Sequence, residues 1–328
     1  MKAIAYDEYG SPDVLTLREL DRPVPGDDEV LVRVRASSVN DYDWHLLTGR
    51  PVINRVGAPF RPKHAVLGSD VAGQVEAVGR SVTRFRPGDE VFGDVSTCGF
   101  GAFAEYVVAP EDAMARKPAG LTFEQAAAVP QAAGLAVTGL YRGRPLAAGR
   151  TVLVNGAGGG VGTFAVQIAK AFGCEVTGVD LARKLDTVRG LGADHVIDYE
   201  TEDFADSGER YDLIVDIAAH RPMSAYRRSL RPGGRVGLLG GSIPRILLAM
   251  ATGPVLSSFR RTKVGVPLWR PNNPDDVAYV VRLLESGAVR PVVDSVFALG
   301  EVPAAFRRFG AQEHTGKIVI SVADGGGA

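Results

Sequence analysis

The chain has 328 residues, 45% of them hydrophobic, and its 37 basic residues nearly balance its 38 acidic ones. This length predicts about two domains, and the balanced charge provides no field that would attract nucleic acid or an anionic membrane, so neither partner is expected. Because two cysteines cannot build a disulfide framework and no signal-peptide pattern opens the sequence, we expect a cytoplasmic protein.

The chain up to about residue 120 predicts a small, mostly antiparallel barrel or sandwich. Short runs of strand-forming residues alternate there with turn segments such as PGDDE and RPGDE. The predicted strands cover residues 15–19, 30–36, 74–78, 90–92 and 104–108.

The pattern changes from about residue 122 onward, where apolar runs bounded by glycine alternate with segments of helical period. This alternation is typical of βαβ units with a parallel sheet. A helix begins near Val161, and the helix before the last strand of this part is expected to end at RPGG, residues 231–234. The predicted strands cover residues 151–155, 175–180, 195–199, 212–217 and 235–239.

After residue 270 the chain returns to its first pattern. A predicted helix over residues 275–285 leads to two short strands, over residues 295–298 and 317–322. We therefore expect residues 1–122 and 270–328 to form one domain and residues 123–269 to form another.

The segment NGAGGGVG predicts a dinucleotide-binding turn, because it follows a strand and opens an amphipathic helix. Gly156 permits a tight exit from the strand, and Gly162 permits close packing of the helix. The backbone at Gly159, Gly160 and Val161 can then approach a pyrophosphate, which the positive end of the helix holds.

The end of the second strand of this unit indicates which nucleotide binds. Asp180 stands there, and such a carboxylate normally accepts hydrogen bonds from the ribose of NAD and repels the 2′-phosphate of NADP. At about 4 Å and an effective dielectric near 20, each pair of unit charges interacts by on the order of 4 kcal/mol. Arg183 and Lys184 could supply two attractions of that size, so the local sum favours NADP, with NAD still possible.

Four motifs keep a recognisable order and spacing: VLGSDVAGQVEAVG, RPGDEVFG, NGAGGGVGTFAVQIAKAFG and LGADHVIDY. Through them the chain resembles the medium-chain dehydrogenase/reductase superfamily, and more narrowly its zinc-free branch of NADPH:quinone oxidoreductases and zeta-crystallin-like enzymes. The likeness runs across nearly the whole chain. It implies an α/β fold in which a central Rossmann domain, a doubly wound parallel sheet, is joined by a GroES-like, mostly β catalytic domain formed by both chain ends.

The resemblance also implies that no metal is needed. Zinc-dependent relatives hold their catalytic metal with a cysteine, a histidine and a glutamate, and the matching positions here are Asn40, Ser69 and Asp70. Amide and hydroxyl side chains are not zinc ligands. The structural-zinc lobe of those relatives needs four closely spaced cysteines, whereas Cys98 stands alone.

Without a Lewis acid, the expected substrates are acceptors that take hydride readily, namely quinones and α,β-unsaturated carbonyls, with NADPH as the donor and NADH possible. In the family, the asparagine matching Asn40 lies near the nicotinamide. The tyrosine commonly found a few positions on is replaced by His45, and Tyr42 lies close by. Tyr42, His45 or water could therefore deliver the proton, although His45 could also be an ordinary core or surface histidine.

Further cofactor contacts are implied by the same resemblance. Lys184 and Tyr199 match residues that touch the 2′-phosphate of NADPH in quinone oxidoreductases, whereas Asp180 departs from the small residue usual there. Gln131 begins a segment that resembles the border of the nicotinamide site. The end of the fifth strand, where a parallel sheet places its ligand crevice, consists of Leu239, Gly240 and Gly241.

Two other functions stay open. An enoyl-thioester reductase would need a basic docking patch, for which the candidates are the arginines at 227, 228, 231, 260 and 261. A non-catalytic, crystallin-like NADPH-binding protein is the second alternative. Relatives dimerise through the edge strands of their Rossmann sheets, so a homodimer is expected, with residues 262–268 as the candidate edge unless Pro267 blunts it.

Overall fold

The structure is a computed structural model that describes residues 1–141, 146–242, 244–250 and 263–322. The chain divides into two compact units. The first unit comprises Met1–Gln131, Pro271–Val281 and Pro291–Ala328, and the second comprises Ala132–Arg270 and Arg282–Arg290. Arg260, Arg261 and Thr262, which entered the predictions above, lie outside the described residues.

Strands and helices are numbered in chain order. The strands are β1 (Lys2–Ala5), β2 (Thr16–Glu19), β3 (Glu29–Ser38), β4 (Asp70–Val78), β5 (Glu90–Asp94), β6 (Tyr106–Pro110), β7 (Met114–Arg116), β8 (Thr151–Asn155), β9 (Glu175–Asp180), β10 (His195–Asp198), β11 (Tyr211–Asp216), β12 (Leu230–Leu238), β13 (Lys263–Gly265), β14 (Val293–Ala298) and β15 (Lys317–Ser321). The helices are α1 (Asp41–Thr48), α2 (Phe123–Ala127), α3 (Pro130–Tyr141), α4 (Gly160–Ala171), α5 (Ala182–Gly190), α6 (Met223–Arg228), α7 (Pro274–Glu285) and α8 (Val302–Gly310).

The first unit contains a sheet of seven strands to which both ends of the chain contribute. Its order is β14-β15-β3-β4-β5-β7, and β6 pairs with β3. The C-terminal strand β15 runs antiparallel to β3, with Val319 opposite Ser38. Alternate residues of these strands, together with Phe103 and Phe306, are buried in one apolar core. The predicted mostly β domain built from both chain ends is therefore confirmed.

The second unit contains a parallel sheet of six strands in the order β10-β9-β8-β11-β12-β13. All its strand pairs are parallel, and every residue of β8 is buried, as expected for a central strand covered on both faces. This order is that of the doubly wound Rossmann fold, in which the strand order reverses between the first and fourth strands. The predicted fold class is confirmed here as well.

Two of the differences between predicted and observed element boundaries have a clear physical reason. β4 begins at Asp70, earlier than expected, because the polar Ser69 and Asp70 are buried in a hydrogen-bond network rather than placed in a loop. Residues 231–234 do not end a helix: α6 already ends at Arg228, and these residues lie in β12. Gly233 has a φ of 85° there, and the pairing with β11 shifts its register next to it, so the RPGG segment marks an irregular strand.

No helix in the described ranges is both long and apolar enough to cross a bilayer.

Candidate active site

The glycine turn joins the buried strand β8 to helix α4. Gly156 has a φ of 85°, a left-handed conformation that glycine adopts without strain. A Cβ on Gly162 would lie 2.0 Å from the Gly156 carbonyl oxygen, so only glycine fits where the first helical turn crosses its own loop. The N–H groups of Gly160, Val161 and Gly162 open the helix and have no intrahelical acceptor.

Gly159 precedes the helix in an extended conformation, with a φ of −81° and a ψ of 177°. A Cβ at this position would meet only the Gly156 carbonyl oxygen at 3.5 Å, which is an ordinary contact. The protein itself therefore does not require glycine here. A bound group that approaches the backbone closely would require it, and the turn fits the pyrophosphate of a dinucleotide.

Asp180, the last residue of β9, is tied to the glycine turn. Its Oδ2 accepts the N–H of Gly158 at 2.8 Å, and its Oδ1 accepts the N–H of Leu181 at 2.8 Å. The Lys184 ammonium lies 3.6 Å from the same carboxylate, and both side chains are more than nine-tenths buried. The charges of Asp180 and Lys184 thus form one ion pair and do not act independently.

Tyr199 and Arg183 lie near this ion pair, and the charges of Asp180 and Arg183 both act on the Tyr199 phenol. The Tyr199 N–H donates to the Asp180 carbonyl oxygen at 3.3 Å, and its side chain is 46% exposed. Burial raises the pKa of the Tyr199 phenol, and the negative charge of Asp180 raises it further. The sequence-predicted residues of the adenosine side of the nucleotide are therefore grouped at the carboxyl ends of β9 and β10.

Sequence reasoning missed a polar pair at the point where the strand order reverses. Asn155 ends β8 and Asp216 ends β11, and the Asn155 amide donates to Asp216 Oδ1 at 2.8 Å. The Tyr226 hydroxyl donates to Asp216 Oδ2 at 2.7 Å. Burial raises the pKa of the Asp216 carboxyl. The sequence feature that could have predicted this pair is a polar residue at the end of each of two apolar strands, because a parallel sheet brings those ends to one edge.

The segment Leu239–Gly241 continues beyond β12 along the same edge. The Leu239 N–H donates to the Asp216 carbonyl oxygen at 2.8 Å, and the Ala219 N–H donates to the Gly240 carbonyl oxygen at 3.1 Å. The segments that follow β11 and β12 are thus paired at the predicted crevice.

In the first unit, the three positions matched to the zinc ligands of relatives come together around Asn40. The Asn40 amide donates to Ser69 Oγ at 2.9 Å and to Asp70 Oδ2 at 2.8 Å. Ser38 Oγ also donates to Asp70 Oδ2, at 2.8 Å. The Lys317 ammonium donates to Asn40 Oδ1 and, at 3.3 Å, to Asp70 Oδ2. All of these side chains are buried.

These residues do not fit a zinc ion. An amide and a hydroxyl occupy two of the three positions, and the ammonium of Lys317 lies within hydrogen-bond distance of Asn40 and Asp70. Among the residues that the structure describes, no three His, Cys, Asp or Glu side chains are grouped so as to hold a metal.

The Asp43 carboxylate accepts hydrogen bonds that fix the start of α1 at Asn40. It accepts the Asn40 N–H at 3.0 Å, the Gly68 N–H at 3.1 Å and the Ser69 hydroxyl at 3.1 Å. The side chain is completely buried, and this burial raises the pKa of Asp43 to about 7. Burial therefore favours the neutral form of a carboxyl that contacts the predicted catalytic segment at Asn40.

A second buried carboxyl extends the cluster through Gln131. The Gln131 N–H donates to Asp70 Oδ1 at 3.0 Å, and its side-chain amide lies 3.5 Å from Asp94 Oδ2. Burial, with the nearby charge of Asp70, raises the pKa of Asp94 to about 7. Asp43, Asp94 and Lys317 were all missed by sequence reasoning, because nothing in their local sequence marks them as polar core residues.

Tyr42 and His45 lie on α1 one turn apart, more exposed than Asn40. The Tyr42 ring is 42% exposed and packs edge-on against Phe100, with 5.3 Å between ring centroids. His45 Nε2 lies 3.0 Å from Asp41 Oδ2. This hydrogen bond raises the pKa of His45, against the opposite effect of partial burial.

The basic patch considered for a thioester is partly neutralised. Arg228 lies 3.5 Å from Asp206, and Arg231 lies 3.3 Å from Asp212. These arginines take part in ordinary surface ion pairs, which carry little energy.

Two family models match the chain. Residues 26–119 match the family described as an alcohol dehydrogenase GroES-like domain. Residues 191–320 match the family described as a zinc-binding dehydrogenase. The first match covers β3 to β7 of the seven-stranded sheet, and the second runs from β10 into β15.

Whole-length relatives are also found. The chain is 34% identical to the chloroplastic quinone-oxidoreductase QR1 of Triphysaria versicolor, over 98% of each protein. It is 33% identical to a chloroplastic NADPH-dependent alkenal/one oxidoreductase of Arabidopsis thaliana, over 98% of this chain and 79% of that protein. Among solved structures, the quinone oxidoreductase from Coxiella burnetii matches with a TM-score of 0.87 and 26% identity, covering 98% and 99% of the two chains.

Proposed function

We propose that this chain, which belongs to the zinc-free quinone oxidoreductase branch of the medium-chain dehydrogenase/reductase superfamily, reduces quinones or α,β-unsaturated carbonyls with a nicotinamide cofactor. The observation that carries this proposal is the glycine turn, whose first helical N–H groups lack intrahelical acceptors at the ligand edge of a Rossmann sheet.

NADPH is the proposed cofactor, with NADH as the weaker ligand. Gly159, Gly160, Val161 and Gly162 would hold the pyrophosphate, and Leu239, Gly240 and Gly241 would border the crevice. Arg183, Lys184 and Tyr199 would face the 2′-phosphate, with Asp180 between them and the glycine turn. The proposed preference rests on charge, because Lys184 compensates the Asp180 carboxylate, which would repel that phosphate.

The cofactor supplies hydride, and the protein supplies position and a proton. Asn40, Tyr42 and His45 are the proposed catalytic residues, since all three lie at or on α1. Asn40 is held rigidly by four polar partners, whereas Tyr42 and His45 are more exposed, and either of them or water would deliver the proton. One hydride and one proton convert a quinone to its hydroquinone, or an enone to its saturated carbonyl.

The direct test is nucleotide binding followed by turnover. Fluorescence titration with NADPH and NADH would be compared, and a panel of quinones, enones and a crotonyl thioester would then be offered. We expect NADPH to bind more tightly and quinones or enones to be reduced. Binding of neither nucleotide would refute the proposal. Turnover of the thioester alone would favour an enoyl-thioester reductase, and NADPH binding without any turnover would favour a non-catalytic protein.

Two further properties remain predictions. A homodimer is supported by β13, the last strand at one edge of the six-stranded sheet, and sedimentation would test it. A reducing cytoplasm is supported by Cys98 and Cys174, both free thiols whose pKa is raised by burial and which are therefore not activated as nucleophiles.

A further inference from the structure

We propose that Lys317, on the last strand of the chain, is a positioning residue that fixes the Asn40 carboxamide and the start of α1. The inference rests on the proposed function in one respect, that Asn40, Tyr42 and His45 belong to the catalytic segment. Lys317 itself touches no substrate in this proposal and acts through Asn40.

Lys317 has three oxygen acceptors for the three N–H groups of its ammonium. They are Asn40 Oδ1, the Val39 carbonyl oxygen at 3.1 Å and Asp70 Oδ2 at 3.3 Å. The side chain is 4% exposed. A buried ammonium with all its donors satisfied has one geometry available, so it can define the position of the groups around it.

The ammonium decides which way the Asn40 amide faces. An amide presents an acceptor on one side and donors on the other, and Lys317 can only donate. Its contact therefore selects Oδ1 for that side, which leaves both N–H groups of Asn40 for Ser69 and Asp70. Without Lys317, Oδ1 would be left without this donor, and the amide could turn.

The same ammonium compensates buried negative charge. Asp70 is fully buried, the carboxyl groups of Asp43 and Asp94 belong to the same network, and the Lys317 ammonium contacts it at Asp70. Removing one partner of a buried ion pair leaves an uncompensated charge. The cluster thus receives its positive charge from a side chain, at the positions where zinc does not fit.

Variants can separate charge compensation from positioning. Lys317→Met keeps the aliphatic stem and removes the charge, and Asp70→Asn removes the opposite charge with little change of shape. In the double variant Lys317→Met/Asp70→Asn the buried charges are balanced again. We expect the urea midpoint to fall in each single variant and to recover largely in the double variant.

Activity should not recover with stability. We expect kcat for a quinone to stay about tenfold or more below wild type in the double variant, because Asn40 still lacks its donor. The Kd for NADPH should change less than about twofold. Lys2→Met, at an exposed lysine of β1, is the matched control and should change none of these quantities.

A second measurement does not depend on catalysis. Trp44 lies in the first turn of α1, and its backbone N–H donates to the Asn40 carbonyl oxygen at 3.1 Å. In a Trp269→Phe background, acrylamide quenching of Trp44 should increase in Lys317→Met and in the double variant. If kcat and quenching both return to wild-type values in the double variant when stability recovers, the positioning role is wrong. It is also wrong if Lys317→Met alone leaves kcat and quenching unchanged. If wild type reduces no acceptor, the proposed function fails and quenching alone decides the role of Lys317.

Discussion

The Lys184 ammonium and the Asp180 carboxylate form a buried ion pair, 3.6 Å apart, at the end of the second strand of the Rossmann sheet. The same carboxylate accepts the N–H of Gly158, so the pair also braces the glycine turn. A nucleotide at this edge would face one ion pair with almost no net charge, rather than two charges acting separately. The proposed preference for NADPH therefore depends on this pair together with the charge of Arg183 near Tyr199.

Asp180→Asn should shift that balance. Removing the negative charge releases the full positive charge of Lys184, while an amide oxygen can still accept the Gly158 N–H. We expect NADPH to bind about tenfold more tightly and NADH to change little. Fluorescence titration with both nucleotides would measure this, and Asp186→Asn, at an aspartate of α5 that is 96% exposed, is the control. Equal gains for both nucleotides would contradict the 2′-phosphate assignment.

Gly162→Ala should destroy the nucleotide turn. The new Cβ would lie 2.0 Å from the Gly156 carbonyl oxygen and 2.7 Å from backbone carbon of Ala157, and neither backbone atom can move away cheaply. We expect a loss of at least about 2 kcal/mol of unfolding free energy, together with loss of NADPH binding. Urea unfolding and titration would measure the two effects.

Gly190→Ala is the matched substitution in a neighbouring helix. No atom lies within 4 Å of the added Cβ, so we expect unchanged binding and a gain of up to about 1 kcal/mol from helix propensity. Normal NADPH binding by Gly162→Ala would show that the tight crossing of loop and helix is not needed for the site.

The buried carboxyl of Asp43 should make stability depend on pH. Its folded pKa of about 7 lies above the ordinary 3.8, so the folded state binds the proton more tightly. The contribution of this carboxyl to the free energy of unfolding is fully present below the unfolded pKa. It is lost as pH rises towards the folded pKa. The free energy of unfolding of wild type should therefore fall between about pH 5 and pH 8, and in Asp43→Asn this fall should be smaller by about 2 kcal/mol.

Urea unfolding of wild type and Asp43→Asn at several pH values would measure the difference of slopes. Asp21→Asn, at an exposed aspartate, should leave the wild-type slope in place. Parallel curves for wild type and Asp43→Asn would mean that the Asp43 carboxyl has the same pKa in the folded and unfolded states.

The pH dependence of turnover should identify the proton donor. The hydrogen bond to Asp41 raises the pKa of His45 above its ordinary 6.5. If His45 delivers the proton, kcat falls as pH rises through that raised pKa, because only the protonated ring can donate. Asp41→Asn should move the fall to lower pH, and His45→Gln should remove it. An unchanged profile in His45→Gln would assign the proton to Tyr42 or water, which Tyr42→Phe would distinguish.

The local patterns predicted the Rossmann unit well. The bounds of β8 and β9 are those expected, and α4 begins within one residue of Val161, because strand, turn and helix are encoded in one short stretch of chain. The RPGG segment misled the prediction. Gly and Pro also mark irregular strands, and only pairing with β11 decides that residues 231–234 belong to β12.

By itself, the sequence determined the order of the two sheet types, the glycine turn and the family, since these depend on contiguous residues. Only the tertiary structure decided that Lys184 compensates Asp180 and that Lys317 contacts Asn40, which lies 277 positions earlier in the chain. Contacts between distant residues depend on how strands pair and which side chains are buried together. A lysine at the start of an apolar strand carries no local sign of the charge it will meet.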